Sequence, residues 1–328
     1  MRCAVIGVGY LGAFHAEKYA RSKKAELVGV LDLDKRRAKK IARKLKTQVL
    51  EDLADLPDLG VQCASVACDT TAHYSVAKYL LENGIDVLLE KPMTTNIPEA
   101  RELIDIAHSN QRILQVGHLE RFNPAFTAMK QTLTQPWFFE VRRISPFSGR
   151  GHDVDVVLDL MIHDIDIVAH LVGRPLARVE AVGIPVLTSS VDIANARLTF
   201  DGGAVANITA SRAAFKSERT IRVFQPDLYI SLDFGKKKMK MYTKAGEKDG
   251  GGFPKIEINE QKVLERDALA DQIDSFLEAV LNRSRPVVGG EDGVRALELA
   301  ERIREAFKES FMSLDNPDHL LKRVGNFL

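Results

Sequence analysis

The sequence is poor in cysteine, and it has neither a long apolar run nor an excess of one charge sign. Its 328 residues include three cysteines, without a paired CxxC arrangement or a nearby histidine cluster. This spacing favours neither a disulfide framework nor a zinc site. We therefore interpret the cysteines as buried free thiols and expect no bound metal.

The apolar runs are all well short of the roughly 20 residues that span a bilayer. The first residues, RCAVIGVGY, lack the apolar core and cleavage site of a secretory signal. We therefore expect a cytoplasmic protein that binds no membrane. Lysine and arginine number 46 against 45 aspartate and glutamate residues, which gives a net charge of +1. This balance does not favour nucleic acid as a partner, so a small molecule is the better candidate.

The N-terminal part alternates short apolar runs with stretches of helical spacing. RCAVIGV, AELVGVLD, CASVAC, DVLLE and RILQVG read as strands that are buried on both faces. Such runs are typical of a parallel sheet with helices on both sides. For residues 1–119 we predict an α/β domain with a doubly wound parallel sheet of the Rossmann type.

From residue 120 onward, apolar and polar residues alternate. Runs such as FFEVRRI, IANARLTF, TIRVFQP and LYISLDF have a period of two. This period indicates strands with one solvated face. Two helical patterns close the chain. For residues 120–328 we predict an α+β domain with a large open sheet, mixed or antiparallel.

A glycine-rich turn follows the first predicted strand. Gly7, Gly9 and Gly12 fit the GxGxxG spacing, and a helical pattern begins there. Glycines at these positions allow a tight turn and a close approach of pyrophosphate to a helix N-terminus. Asp32 ends the second strand about 20 residues further on, where a carboxylate binds the adenosine ribose. The predicted dinucleotide site consists of Gly7, Gly9, Tyr10, Leu11, Gly12 and Asp32.

Asp32 also bears on the choice of cofactor. Its carboxylate would repel a 2′-phosphate, so the sequence favours NAD over NADP. Arg36 and Arg37 follow closely and could reach a phosphate. The alternative is that both arginines lie on the solvated face of the next helix, and we favour that interpretation.

The triplet Glu90, Lys91 and Pro92 ends the apolar run DVLLE. In doubly wound sheets, ligands bind beyond the carboxyl ends of the strands. Lys91 could therefore reach the nicotinamide, and Glu90 could orient or neutralise its ammonium group. The alternative is a surface salt bridge at a strand end. A tight turn of this kind is also where a cis X-Pro bond can occur.

A second group of ionisable residues interrupts the apolar stretch VVLDLMIHDIDIVAHL. Asp159 and His163 are four residues apart and would share one helix face. An imidazole titrates near neutrality and suits a general base that removes a hydroxyl proton. We interpret Asp164 and Asp166 as structural, and His170 as a core or interface histidine.

Taken together, the glycine turn, the EKP triplet and DLMIH resemble the glucose–fructose oxidoreductase, inositol dehydrogenase and rhizopine catabolism (Gfo/Idh/MocA) family. The resemblance covers nearly the whole chain and includes residues 71–92 and 272–300. It implies an NAD-dependent enzyme that oxidises a sugar or cyclitol hydroxyl. Lys91 would polarise that hydroxyl, Asp159 would hold sugar hydroxyls, and His163 would act as acid and base. How proton transfer divides between Lys91 and His163 stays open.

The resemblance also implies further contacts. Cofactor contacts would come from Thr70, Thr71, His73, Glu90 and Lys91. For His73 the alternative is a residue that only starts a helix. Arg121 and Asn123 would line the sugar side. The second domain would bind substrate and form a homodimer or homotetramer through its exposed sheet face.

Within the family, residues 117–126, 155–168 and 192–212 resemble the members that oxidise the 3-hydroxyl of UDP-N-acetylglucosamine in lipid A precursor metabolism. A nucleotide-sugar diphosphate needs cations, and one run supplies Arg212, Lys216, Arg219 and Arg222. That run could equally be a solvated loop and strand edge. Two alternatives remain: an inositol or free-sugar dehydrogenase of the same family, and a non-catalytic dinucleotide-sensing regulator on the same scaffold.

Overall fold

The computed structural model describes residues 1–147, 154–248, 254–262 and 266–312. The chain divides into two compact units. The first contains Met1–Phe122 and Asp267–Leu297, and the second contains Asn123–Arg266 together with the chain from Glu298 onward.

Helices and strands are numbered here in chain order. The α-helices are α1 Tyr10–Arg21, α2 Lys35–Leu45, α3 Asp55–Asp58, α4 Thr70–Glu82, α5 Ile97–Ser109, α6 Pro124–Thr132, α7 Ile162–Val172, α8 Ala268–Asn282 and α9 Gly290–Met312. A 3-10 helix covers Leu119–Phe122, and a π-helix covers Val157–Met161.

The strands of the first unit are β1 Arg2–Ile6, β2 Glu26–Leu31, β3 Gln48–Val49, β4 Cys63–Val66, β5 Asp86–Leu89 and β6 Leu114–Val116. Those of the second unit are β7 Phe138–Ile144, β8 Leu176–Ile184, β9 Ile193–Phe200, β10 Val205–Ser211, β11 Glu218–Gln225, β12 Leu228–Asp233, β13 Lys238–Lys248 and β14 Pro254–Lys262.

The first sheet has the order β3-β2-β1-β4-β5-β6, and its described neighbours pair in parallel. Every residue of β4 and β5 is buried, as expected for strands covered on both faces. The strand order is that of a doubly wound dinucleotide-binding fold. The predicted Rossmann domain is therefore confirmed.

Helix α8 belongs to this first unit. Its apolar residues recur at helical spacing, and they are buried in one cluster with side chains of β1 and α1. These residues are Leu269, Ile273, Phe276, Leu277 and Val280. The observed division therefore differs from the predicted one, in which all of residues 120–328 formed the second domain.

The sheet of the second unit has the order β14-β13-β12-β11-β7-β10-β9-β8. Strands β7 and β10 pair in parallel, whereas the other described neighbours are antiparallel. Buried and more exposed residues alternate along β9 and β11. Helix α6 contacts β12 and β13, and helix α7 contacts β7 and β10. The predicted α+β architecture with an open mixed sheet is confirmed.

Residues 1–147, 154–248, 254–262 and 266–312 contain neither a candidate membrane span nor a candidate metal cluster. Among them, no helix is long and apolar enough to cross a membrane. The same residues contain no group of three or more histidine, cysteine or acidic side chains that could hold a metal ion.

Candidate active site

A cleft of about 550 Å³ opens at the carboxyl edge of the first sheet. Gly7 and Gly9 line it after β1, Asp32 after β2, and Cys68 and Asp69 after β4. Its volume is in the range of about 300–1,000 Å³ that is typical of small-molecule sites. Its location is where doubly wound sheets bind their ligands.

Close backbone contacts explain why two of the three positions must be glycine. Gly7 has φ +81°, and a Cβ there would lie 2.4 Å from the Cys68 backbone nitrogen. A Cβ on Gly12 would lie 1.8 Å from the Gly7 carbonyl oxygen. Gly9 differs, because a Cβ there would meet its nearest protein atom, Arg37 Nη1, only at 3.9 Å. Its side-chain space therefore stays open to a ligand, as a cradle for pyrophosphate requires.

The Asp32 carboxylate is fixed at the rim of this cleft. Its Oδ2 accepts a hydrogen bond from the Val8 amide at 2.8 Å, and its Oδ1 accepts one from the Asp34 amide at 2.8 Å. This geometry suits a carboxylate that binds ribose hydroxyls. Arg36 is exposed, as expected. Arg37 is also exposed, but its Nη1 lies 3.3 Å from Asp32 Oδ2.

The remaining residues predicted to bind cofactor have different surroundings. Tyr10 is 67% exposed and packs edge-to-face on Phe14. Leu11 packs against the apolar core instead. Thr70 begins α4, and Thr71 beside it is exposed.

Some residues of the cleft were missed by the sequence reasoning. The described lining includes Cys68, Asp69 and Ala72, but neither threonine. The sequence could have indicated them, because they follow the end of β4, which shares the carboxyl edge with the glycine turn.

The three cysteines are free thiols, as predicted, and burial raises the pKa of Cys68 to about 11.

Glu90 points into the first unit. Its Oε1 lies 3.1 Å from His15 Nε2 and 3.4 Å from Gln272 Nε2. A Cβ on Gly117 would lie 2.4 Å from the same oxygen, so a glycine is needed there. Burial alone raises the pKa of Glu90, but His15 and then the charges of Lys91 and His73 outweigh it and hold this pKa below its ordinary value.

The alternative of a surface salt bridge at this strand end is therefore wrong, because the Glu90 carboxylate is buried beside His15. Lys91 itself is half-buried at the carboxyl end of β5. The Lys91–Pro92 peptide bond is cis.

His73 is 1% exposed and occupies the space between two strand ends. Its Nδ1 lies 2.9 Å from the Pro92 carbonyl oxygen, and its Nε2 lies 3.1 Å from the Cys68 carbonyl oxygen. Both ring nitrogens are thus occupied by backbone, and the predicted contact between His73 and the cofactor ribose does not fit this geometry.

In the second unit, Asp155 caps the helical segment that carries the other predicted catalytic residues. Its Oδ1 accepts hydrogen bonds from the amides of Val157 and Leu158, and its Oδ2 lies 2.7 Å from Arg304 Nε. The segment starts with the π-helix and continues as α7. Wide turns of this type are frequent at functional sites.

Asp159 lies in the π-helix and His163 in the first turn of α7. Both are half-buried, whereas most of their neighbours in this apolar segment are buried. The acceptor and the acid/base predicted from the sequence thus lie one turn apart. They belong to the second unit and Lys91 to the first.

Among the other ionisable residues of α7, Asp164 has the structural role that we expected. Asp164 is buried and accepts two hydrogen bonds from Arg143, at 2.8 and 2.9 Å. Asp166 is 2% exposed. His170 is half-buried, with its ring centroid 6.1 Å from that of Phe126.

Arg121 and Asn123 have structural partners. The Arg121 guanidinium is buried in the first unit, 3.1 Å from Asp292 Oδ1. Asn123 caps α6, because its Oδ1 accepts a hydrogen bond from the Ala125 amide. The structure therefore assigns neither residue the substrate contact that the sequence suggested.

The four cations predicted to bind a diphosphate do not form one cluster. Arg212 is 3% exposed and donates to Asp192, Ser190 and the Val154 carbonyl, so burial excludes it from that role. Lys216 and Arg219 are exposed. Arg222 pairs with Glu140 at 3.3 Å. Arg219 and Arg222 are three residues apart in β11 and project from opposite faces of the sheet.

Comparison with protein families assigns both parts of the chain. Residues 1–118 match a model described as an oxidoreductase family with an NAD-binding Rossmann fold. Residues 128–227 match the GFO/IDH/MocA C-terminal domain. The resemblance inferred from the three motifs and the expected NAD cofactor are thereby confirmed.

Several relatives span nearly the whole chain. UDP-N-acetylglucosamine 3-dehydrogenase from Acidithiobacillus ferrooxidans is 36% identical over 95% of this chain and 98% of its own length. A solved structure of the enzyme of that name and organism has a TM-score of 0.87, covering 94% of this chain and 98% of that chain. A scyllo-inositol 2-dehydrogenase (NAD(+)) from Bacillus subtilis is 28% identical over 94% of both sequences.

Proposed function

The chain belongs to the Gfo/Idh/MocA oxidoreductase family, and on that premise we propose that it oxidises the 3-hydroxyl of UDP-N-acetylglucosamine to a ketone with NAD. One observation carries the choice of substrate. The relative that acts on UDP-N-acetylglucosamine is 36% identical over almost its entire length, compared with 28% for the inositol dehydrogenase.

The proposed chemistry assigns one role to each polar group. Gly7, Gly9 and Asp32 would hold NAD, which would supply the acceptor for the hydride that leaves the carbon carrying the hydroxyl. His163 or Lys91 receives the hydroxyl proton as the C=O bond forms. If His163 receives the proton, Lys91 is an ammonium group that polarises the oxygen; if Lys91 receives it, Lys91 starts as the neutral amine. The Asp159 carboxylate accepts hydrogen bonds from neighbouring sugar hydroxyls.

The first unit supports cofactor binding through its own geometry. The Gly7 and Gly9 turn leaves room for pyrophosphate, and Asp32 presents a fixed carboxylate to the ribose. For the substrate diphosphate, Lys216 and Arg219 are exposed cations of the run considered above, whereas the exposed Arg222 pairs with Glu140. We propose these two as its partners, and Arg212 is left out because it is buried.

Calorimetric titration of the NAD-bound protein tests the choice of substrate. UDP-N-acetylglucosamine, UDP and myo-inositol are injected separately. We expect UDP-N-acetylglucosamine and UDP to bind and myo-inositol not to bind. The nucleotide-sugar proposal fails if UDP gives no heat and does not protect the protein from thermal unfolding.

Oxidation of an inositol is the second candidate, because an inositol dehydrogenase is related to the chain over 94% of its length. Binding of myo-inositol without binding of UDP would establish it. The NAD site and the roles of Lys91, Asp159 and His163 would be the same in both reactions, since each oxidises a ring hydroxyl.

We also propose that a second copy of the chain covers the outer face of the second sheet. Aromatic rings form a row across four strands there, at centroid distances of 5.5, 4.6 and 4.9 Å. The row consists of Phe138, Phe224, Tyr229 and Tyr242. Ile258, opposite Tyr242, is 64% exposed. Sedimentation should give a dimer or tetramer for the native chain and a smaller species for Tyr229→Lys.

A further inference from the structure

His73 connects the turn that carries Lys91 to the turn beneath the glycine loop. The Pro92 carbonyl lies on one side of its ring and the Cys68 carbonyl on the other, at 2.9 and 3.1 Å. These two carbonyl groups follow neighbouring parallel strands, since β5 leads to Pro92 and β4 leads to Cys68. One side chain of α4 therefore holds two loops of the sheet edge together.

The two contacts depend on the protonation state of the His73 ring. A carbonyl oxygen only accepts hydrogen bonds, so each ring nitrogen must donate to satisfy its partner. A neutral imidazole has one N–H, and only the doubly protonated ring satisfies both carbonyls. Burial lowers the pKa of His73, while the Pro92 carbonyl, the Glu90 charge and the Cys68 carbonyl oppose part of that shift.

Cys68, which the His73 ring contacts, lies directly at the cofactor cleft. The backbone of Cys68 packs so closely on Gly7 that a Cβ on Gly7 would lie 2.4 Å from its nitrogen. Cys68 also lines the cleft. The contacts thus run from the glycine turn to Cys68, through the His73 ring, and on to Pro92 beside Lys91.

We propose that His73 is a positioning residue, which fixes the Lys91 ammonium relative to the bound nicotinamide by tying the Lys91–Pro92 turn to Cys68. This inference rests on the proposed function only in that Lys91 acts on the substrate hydroxyl. His73 itself touches neither the cofactor nor the substrate in this assignment.

Loss of the His73 contacts to Pro92 and Cys68 should lower kcat more than it lowers the affinity for NAD. The glycine turn and Asp32 bind the dinucleotide without His73, so NAD affinity should stay at the wild-type value. A misplaced Lys91 ammonium would lower kcat by about 10–100-fold, because small displacements of a reacting group are costly. KM for the sugar should change much less than kcat.

Two substitutions and one control test the proposal. His73→Leu removes both ring nitrogens, and His73→Gln retains an amide donor and should restore part of kcat. The control Leu80→Val changes a fully buried residue two turns further along α4. It should lower Tm without changing kcat. Steady-state kinetics with UDP-N-acetylglucosamine and calorimetry with NAD give the required values.

A second readout needs no substrate. Reductive methylation with 13C-formaldehyde labels the lysines, and Lys91→Arg identifies the Lys91 signal in the NMR spectrum. NAD should shift this signal in the native protein and shift it less in His73→Leu at the same cofactor saturation. An equal shift would overturn the positioning role, even if UDP-N-acetylglucosamine proves not to be the substrate.

The kinetic outcomes are equally decisive. A His73→Leu enzyme with native kcat would overturn the proposal. So would a loss of NAD affinity that accounts for the loss of turnover, or an equal loss of kcat in Leu80→Val. A native protein that does not turn over UDP-N-acetylglucosamine would refute the proposed substrate, and the NMR comparison would then decide the role of His73.

Discussion

The guanidinium of Arg37 lies across the carboxylate of Asp32, with Nη1 3.4 Å from Oδ1 and 3.3 Å from Oδ2. The sequence favoured a position for Arg37 on the solvated face of α2; the residue is exposed there, and its guanidinium also reaches the Asp32 carboxylate. Asp32 is buried and held by two backbone amides, whereas the Arg37 side chain is 49% exposed. The carboxylate is therefore the fixed partner, and the arginine is the partner that can move.

Asp32→Ala should weaken NAD binding by about 1.5–3 kcal/mol, the contribution of hydrogen bonds to a charged group. The reason is loss of the acceptor for the ribose hydroxyls. Calorimetry with NAD measures the change, and Asp58→Asn, an exposed carboxylate of the same unit, serves as the control. An unchanged dissociation constant for Asp32→Ala would refute the ribose assignment.

Asp32→Ser should raise kcat/KM for NADP by about tenfold or more, because it removes a charge that repels the 2′-phosphate and leaves Arg37 able to pair with it. The double variant Asp32→Ser/Arg37→Gln should lose that gain. Parallel assays with NAD and NADP provide the ratio. If the double variant retains the gain, Arg37 has no part in cofactor choice.

His163→Asn should lower kcat by about 10²–10⁴, the usual effect of removing a positioned acid or base. Lys91→Met should lower it as well, because the ammonium that polarises the hydroxyl is lost. The control is His170→Asn on the same helix, which should retain near-native kcat. Native turnover in both His163→Asn and Lys91→Met would refute the catalytic roles of these two residues.

Stability should depend on pH through Asp192, which is fully buried. Burial raises the pKa of Asp192, but hydrogen bonds from the Thr188 amide, Arg212 and neighbouring amides outweigh it and lower this pKa to about 2. Because the folded-state pKa lies below the ordinary value of 3.8, the carboxylate stabilises the fold above that value. This contribution of about 2 kcal/mol is lost as the pH falls toward 2.

Asp192→Asn should therefore cost about 3–5 kcal/mol at pH 7, because it leaves Arg212 buried without its counter-ion. The difference from the native protein should shrink at pH 3. Urea unfolding followed by the fluorescence of Trp137, which lies in the second unit, measures both values. A difference that is independent of pH would contradict this role of Asp192.

Local patterns predicted the parts of the molecule that depend on short stretches of sequence. The glycine turn and Asp32 could be identified because spacing, strand ends and helix starts are local features. The same applies to Asp159 and His163, whose separation by four residues places them one turn apart. Asp164 was recognised as structural, although its buried partner Arg143 could not be identified.

Residues whose roles depend on distant partners could not be predicted. Arg212 follows a strand in a basic run that suggested an exposed cation, yet it folds back onto Asp192. The spacing in α8 predicted its helix but not that it packs on the first unit. The family resemblance led us to expect a cofactor contact for His73. The Pro92 carbonyl that its ring contacts could not be predicted, because it is nineteen positions away in sequence.

The most direct test of the central claim is turnover. The purified protein is incubated with NAD and UDP-N-acetylglucosamine, NADH is followed by its absorbance, and the product is examined by NMR. The account predicts that NADH forms and that carbon 3 of the sugar becomes a ketone. The absence of NADH with UDP-N-acetylglucosamine, together with rapid NADH formation from myo-inositol, would contradict it.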